Sequence, residues 1–344
     1  MKELIINECG EDVYNYFNLF VTTEDSKTFI VSTTNEFNIL NSNQNFDNLI
    51  NLSKLNNIRY LNKFFEKINT KLTTGSVFIC CFETIAARRE RQKTNKIILL
   101  GPLLFFFEFV FLRIFPKVWG FKKVYFFITR GRNRLLSKAE VMGRLVSCGF
   151  KINAEESFNG IKYIVAIKER LPEYNMNASY GPVFKMRRLG KEGKEIGVYK
   201  FRTMHPYAEY LQDYVLKLNG YGQNGKPKDD FRVTPWGKFL RRYWLDELPQ
   251  LINVFKGELN FVGVRPISLR YFQDIPEDLK NLRLKFKPGC IPPYVALNRN
   301  NDLESVLQAE REYLFEKLKN PIYTDIKFFI KAICNILFKR KRSA

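Results

Sequence analysis

The sequence predicts two differently built halves: an α/β first half, then a mainly α second half with one small β hairpin. Three observations predict this. Before residue 170, short β-branched runs alternate with stretches of helical apolar spacing, the pattern of an α/β layer. After residue 180 the apolar spacing is mostly helical, broken by one charged stretch punctuated with glycines. Between them, Leu171 to Tyr180 (LPEYNMNASY) is polar and carries a proline, as a linker does. The resulting division is 1–170, 171–180 and 181–344. A chain of 344 residues has room for two or three domains at ~100–200 residues each.

In the first half, KELIIN and KTFIVSTT read as short strands with polar breaks at their flanks. Leu49, Ile50, Leu52, Leu55, Ile58, Leu61, Phe64 and Phe65 follow helical spacing and predict a helix. GSVFICCFET, Gly75 to Thr84, predicts a buried strand. Ser137 caps the next helix with Glu140 at its third residue, as in a capping box, and Gly149 closes it. Two strands follow, turned at Asn159-Gly160.

The apolar run from Lys96 to Phe121 (KIILLGPLLFFFEFVFLRIFPKVWGF) interrupts this half. Its Ile97 to Leu112 core carries one charge, Glu108. A full membrane span needs ~20 apolar residues, so the run is short, and Pro102 breaks it. Lys96, Arg113, Lys117, Lys122 and Lys123 flank it, where long stems can carry charge to headgroups. The expectation is a membrane-contacting segment bent at Gly101-Pro102; the competing reading is a buried helix of the α/β half.

In the second half, Arg187 to Tyr199 predicts the hairpin, leading into Lys200, Phe201, Arg202, Thr203 and Met204. Tyr207 to Leu218 reads as helical, and Asn219 to Asp230, with three glycines, as a loop. Thr234 is placed to cap a helix with Pro235 at its first position. LDELPQLINVFKG predicts a new helix beginning near Asp246 and ending at Gly257. Asp302 to Lys319 and Asp325 to Phe338 are two further helices. The second is amphipathic and runs into Lys339, Arg340, Lys341 and Arg342, a pattern suited to an anionic membrane surface or to a packed helix with a solvated tail.

Composition narrows the partners. The formal net charge is +21, which implies an anionic one: nucleic acid, an acidic membrane, or phosphate-bearing ligands. Many of the 32 phenylalanines sit in apolar runs and do not alternate with Lys and Arg, which favours membrane and argues against nucleic acid. The six cysteines show neither metal-ligand spacing nor a secreted disulfide pattern, so they read as reduced thiols in a cytosolic setting. One histidine, His205, cannot build a histidine metal cluster. Glu3, Glu8 and Glu11 leave no cleavable signal sequence at Met1.

The chemistry concentrates between Asp230 and Pro266. Asp246 and Glu247 are adjacent, with Lys238, Arg241 and Arg242 before them and Lys256 and Arg265 after. Hard cations such as magnesium take one or two carboxylates plus phosphate oxygens, and Arg and Lys complement phosphate. The plain alternative is a pair of solvated acids near a helix start. Such a start would favour anions, including a bound phosphate.

Four blocks carry a resemblance. They are GPVFKMRRLGKEGKEIGVYKFRTM (Gly181 to Met204), RVTPWGKFLRRYWLDELPQLINVFKGELNFVGVRP (Arg232 to Pro266), KFKPG (Lys285 to Gly289) and a trailing helix with a basic end. Together they resemble the bacterial sugar transferases, monotopic phosphoglycosyl transferases that start polysaccharide assembly on a polyprenyl phosphate carrier. The resemblance spans about the second half of the chain. It implies a membrane-associated catalytic domain entered through a re-entrant helix. It also implies a location on the cytoplasmic face of the bacterial inner membrane, and it leaves a homodimer open. Asp246 would attack the sugar-bearing phosphate of a nucleotide-diphosphate sugar, a UDP-sugar by expectation. Magnesium would be held by Asp246 and Glu247, and Lys200, Arg202, Arg241 and Arg265 would bind phosphate. Polyprenyl phosphate would accept the sugar-1-phosphate and UMP would leave.

The chain departs from the family pattern in three places. Val264 stands where proline is usual, Cys290-Ile291-Pro292-Pro293 where Ile-Thr-Gly is common, and about 60 residues separate the apolar run from GPVF. The strand, LSKAEVMGRLVSCGF and hairpin of the first half are in turn similar to the last part of a class I methyltransferase fold. The glycine-rich turn for S-adenosylmethionine is missing, with only Cys9-Gly10 near its place, so this half reads as a degenerate Rossmann-like scaffold. The alternative for the whole chain is a non-catalytic basic protein binding membrane or nucleic acid; it accounts for the charge but not for LDELPQL.

Overall fold

The computed structural model describes residues 2–41, 46–93, 100–118, 120–174, 181–220 and 227–338. Lys96, part of the linker, residues 221–226 of the expected loop, and the basic end at 339–344 lie outside them. The chain divides into two compact units: 1–180 with 205–218, and 181–204 with 219–344.

The first unit is built on a mixed five-stranded sheet. Its strands are β1 (Thr28–Val31), β2 (Phe46–Lys54), β3 (Leu72–Glu83), β4 (Phe150–Phe158) and β5 (Ile161–Lys168), in the order β1-β2-β3-β5-β4. The first three run parallel; β4 and β5 form an antiparallel hairpin added beside β3. Asn159 and Gly160 turn that hairpin at φ 49° and 77°, the positive values a tight two-residue turn requires.

Two expectations are corrected here. Leu49, Ile50 and Leu52 belong to β2 and not to a helix, which runs only over Leu61–Lys71. β2 lies between two neighbours and is buried through its middle, and a strand covered on both faces reads as a continuous apolar run. KELIIN is helical, over Lys2–Cys9, with Ile5 fully buried and Leu4 exposed. An apolar run this short fits either element by periodicity alone.

Ser137 caps the helix Lys138–Ser147, its Oγ accepting from the Glu140 N–H at 3.2 Å. The Glu140 carboxylate does not complete the box. It is fully buried and is taken by Arg113 and by Arg144, at 2.8 Å to the latter. The apolar run forms a helix over Leu100–Phe109, continues as a π turn at Val110–Ile114, and ends in a 3-10 turn at Phe115–Lys117. Phe109, Phe111 and Phe115 pack around Leu112, Tyr125 and Leu135, while Leu104, Phe106 and Phe107 are exposed. Among the described residues no helix is long and apolar enough to cross a membrane.

Residues 205–218 also belong to this unit. Tyr207 is 3% exposed, in the left-handed region at φ 62°. Its hydroxyl accepts from Asn62 at 2.7 Å, and its ring lies 4.5 Å beneath the Arg144 guanidinium. Gly143 is required opposite it: a Cβ there would sit 2.2 Å from the Tyr207 carbonyl oxygen.

The second unit is mainly helical, as expected. An antiparallel hairpin, β6 (Val183–Leu189) with β7 (Glu195–Phe201), and a short parallel pair, β8 (Asn260–Val262) with β9 (Gly289–Ile291), are its sheets. Its core gathers Val262, Val264, Leu279, Tyr313, Leu314 and Phe328 between β8 and the two long helices Leu303–Lys319 and Pro321–Leu337. Gly289 is forced by close approach, since a Cβ there would meet the Gly263 nitrogen at 2.1 Å.

Candidate active site

The motif blocks are tied to each other by hydrogen bonds. Thr203, at the end of YKFRTM, accepts at its carbonyl from both the Thr234 N–H and the Thr234 hydroxyl, each at 2.9 Å. Thr234 also caps the helix Pro235–Arg242, its hydroxyl accepting from the Gly237 N–H at 3.0 Å. Arg241, from the last turn of that helix, donates its Nε–H to the Thr203 hydroxyl at 2.9 Å.

Trp244 then turns the chain at φ 61°, a strained value for an aromatic residue. The turn delivers Asp246 and Glu247 on the first turn of a 3-10 helix, Leu245–Gln250, which continues as an α turn over Leu251–Phe255. Fully buried Asn253 fixes this element to β7: its Oδ1 accepts from the Tyr199 N–H at 3.0 Å and its Nδ2–H donates to the Gly197 carbonyl at 2.9 Å. An amide side chain thus stands in for a missing strand edge.

This arrangement sets Lys200 against Glu247. Lys200 Nζ donates to Glu247 Oε1 at 2.6 Å, and Arg265 reaches the same oxygen at 3.0 Å. Gln250 Nε2 donates to the other oxygen at 3.1 Å. Asp246 makes no ion pair among the described residues. Burial pushes its pKa up; the Lys200 charge pulls it back down, Glu247 raises it, and Arg241 lowers it again. The two acids are therefore unlike: Glu247 is clamped by cations, while Asp246 is a half-buried carboxylate without a clamp.

Lys200, Glu247 and Arg265 line a polar cleft of about 250 Å³ together with Arg188, Gln250, Ser268 and Tyr271. Three site residues expected from sequence meet here. Arg241 is held at Thr203, close enough to act on Asp246. Arg202 lies away from the cleft, its Nε–H donating to the Gly181 carbonyl at 3.0 Å and its guanidinium 5.1 Å from the Phe184 ring centre. Arg188 was not foreseen. It was legible in the two-residue period of the hairpin, where Arg188 pairs with Ile196, Met186 with Val198 and Phe184 with Lys200, setting Arg188 and Lys200 on one face. Burial, and then the neighbouring Arg265, lower the Arg188 pKa.

No group of three or more His, Cys, Asp or Glu side chains that could hold a metal exists among the described residues. A divalent cation here would take most of its oxygens from the substrate, as magnesium at phosphate sites does. Asp246 and Glu247 would supply the carboxylates, and Gln250 Oε1 is a buried oxygen with no partner among the described residues. These hard oxygen donors fit such an ion.

Residues 174–339 match the family model for the bacterial sugar transferases. That segment, a little under half of the chain, is similar to that family. Over 161 residues it is 35% identical to the galactosyl transferase CpsE of Streptococcus agalactiae serotype III (strain NEM316), covering 46% of this chain and 35% of the relative. It is 34% identical over 134 residues to the undecaprenyl-phosphate galactose phosphotransferase of Salmonella typhimurium (strain LT2), covering 37% and 28%. With the UDP-glucose:undecaprenyl-phosphate glucose-1-phosphate transferase of Klebsiella pneumoniae it shares 40% identity over 114 residues, 32% and 22% of the two chains. The chain thus spans about a third or less of the length of these curated relatives.

Proposed function

We propose that this chain is a bacterial sugar transferase and moves a sugar-1-phosphate from a nucleotide-diphosphate sugar, a UDP-sugar, to polyprenyl phosphate at the cytoplasmic face of the inner membrane. The observation that carries the reading is the unequal acid pair, of which Glu247 lines the cationic cleft and Asp246 precedes it in the chain. One carboxylate has no ion pair among the described residues, and its neighbour is fixed by Lys200 and Arg265. Two anions must meet in this reaction, so preorganised cations are what the transition state needs. The names of the family relatives, which include undecaprenyl-phosphate sugar-1-phosphate transferases, support the same substrates.

A carboxylate nucleophile divides the transfer into two steps. An Asp246 oxygen attacks the phosphorus bearing the sugar. The bond from that phosphorus to the bridging oxygen breaks, and UMP leaves with the electron pair. A phosphate oxygen of polyprenyl phosphate then attacks the same phosphorus and frees the Asp246 carboxylate. Lys200, Arg188 and Arg265 hold the phosphates, and Lys200, followed by Arg241, lowers the Asp246 pKa against the effect of its burial. Magnesium, held by Asp246 and Glu247 with Gln250 beside them, would supply additional neutralisation of diphosphate charge.

Membrane association is supported by the helix Pro321–Leu337, whose Ile322, Ile326, Phe329, Ile330 and Leu337 are exposed at helical spacing. The deciding experiment is intact-protein mass after incubation with a panel of UDP-sugars and magnesium, without carrier lipid. A phosphosugar adduct should form in the wild type and in Glu247→Gln at reduced rate, and be absent in Asp246→Asn. An undiminished adduct in Asp246→Asn refutes the nucleophile. UMP release in excess chelator at the full rate refutes the metal.

A further inference from the structure

Glu247 lines a second cleft as well. It also measures about 250 Å³, and its walls are almost wholly carbon. Trp244, Leu248, Leu251, Phe261, Pro292 and Ile336 supply them. Leu248, Leu251 and Phe261 are 50%, 39% and 50% exposed, so three large apolar side chains are left facing out beside a clamped carboxylate. Such a concentration of exposed apolar surface marks a binding site.

A UDP-sugar is polar along its whole length and has no use for this trough. A guest that suits both clefts is anionic at one end and hydrocarbon directly behind it. The stretch that replaces the family's usual Ile-Thr-Gly also sits here, with Cys290, Ile291 and Pro292 in the wall. We propose that the apolar cleft seats the isoprenoid units nearest the acceptor phosphate, with the phosphate itself at the Glu247 end among Lys200 and Arg265. This rests on the transfer reaction proposed above and assigns its second substrate to particular residues. It makes Leu251 and Phe261 determinants of acceptor recognition, and it makes Glu247 the residue shared by donor and acceptor.

The test measures UMP release by the full-length protein in detergent, with two acceptors, dimethylallyl phosphate and farnesyl phosphate. In the wild type the acceptor KM should fall about tenfold or more from the shorter to the longer chain, as burial of extra methylenes requires. Phe261→Gln and Leu251→Gln should raise the farnesyl phosphate KM about tenfold, toward the dimethylallyl value, with the UDP-sugar KM within about twofold of wild type. Phe261→Leu should restore most of the loss. The cleft assignment is overturned if these variants leave the farnesyl phosphate KM unchanged. It is equally overturned if they weaken both acceptors alike, or if they raise the UDP-sugar KM instead. In each of those cases an active wild type leaves the transfer reaction standing. A wild type that releases no UMP with any UDP-sugar overturns both.

Discussion

Replacing Arg283 by Met should destabilise the second unit by about 3–5 kcal/mol at neutral pH, the cost of stranding a buried charge by removing its partner. Arg283 and Glu310 pair with side chains 5% and 3% exposed. The same guanidinium donates to the Arg265 carbonyl at 2.6 Å, and the Arg265 side chain reaches Glu247. Burial already raises the Glu310 pKa against the pull of Arg283, and without Arg283 it rises further. A carboxyl whose folded pKa lies above its unfolded value, about 4.3, costs nothing when both states are protonated. The cost grows as pH climbs from the unfolded value to the folded one. The loss in Arg283→Met should therefore shrink as pH is lowered toward that of a free glutamate. Urea midpoints of the detergent-solubilised protein, read across pH, measure this. Arg283→Met/Glu310→Leu should recover most of the stability, because replacing both members of a buried pair with apolar groups is often neutral. It should not recover turnover fully, since the Arg265 carbonyl stays unheld. A loss below about 1 kcal/mol at neutral pH, or a double variant no better than the single, would refute the reasoning.

Other outcomes follow from the same geometry. Lys200→Met removes the charge that most strongly lowers the Asp246 pKa, so the acid limb of adduct formation should move to higher pH; an unmoved limb counts against Asp246 as the titrating group. Thr234→Ala deletes a helix cap and the tie to Thr203, and should cost about 1–2 kcal/mol in thermal or urea unfolding, whereas Thr234→Ser should cost far less. Ile326 and Ile330, 55% and 57% exposed, should tolerate Asp within about 0.5 kcal/mol of stability. The double change should abolish co-sedimentation with anionic vesicles, and retained binding would remove that helix from the membrane contact.

The caps and turns were the most legible parts of the fold. Ser137, Thr234 and Asn159-Gly160 act through neighbours one to three residues away, so the sequence states both partners. The β2 strand was misread because burial on two faces erases the alternation that marks a strand. In the site, Asp246, Glu247, Lys200 and Arg265 were visible as a motif, but their division of labour was not. That division depends on Asn253 docking on β7, a contact across more than fifty residues that no spacing announces. Arg202 shares the Lys200 block but lies just past the end of β7, where the chain leaves the strand and its side chain turns to Gly181. Arg188 was hidden for the opposite reason: a strand's face is apparent only once its partner's register is known.

The stretch 205–218 carries a consequence for how this protein can be taken apart. The family match at 174–339 runs through it without a break, yet it is folded into the first unit, where Tyr207, Leu211 and Val215 are buried. A domain contiguous in sequence is here discontinuous in space, against the usual run of domain boundaries. The polypeptide passes from one unit to the other after 180, after 204 and after 218, so the units are stitched and not merely strung. No single cut separates them. A fragment beginning at Gly181 would carry an apolar tongue, including Tyr207, whose socket of Asn62, Gly143 and Arg144 had been left behind. The first unit thus keeps a segment that the family match counts with the second half of the chain.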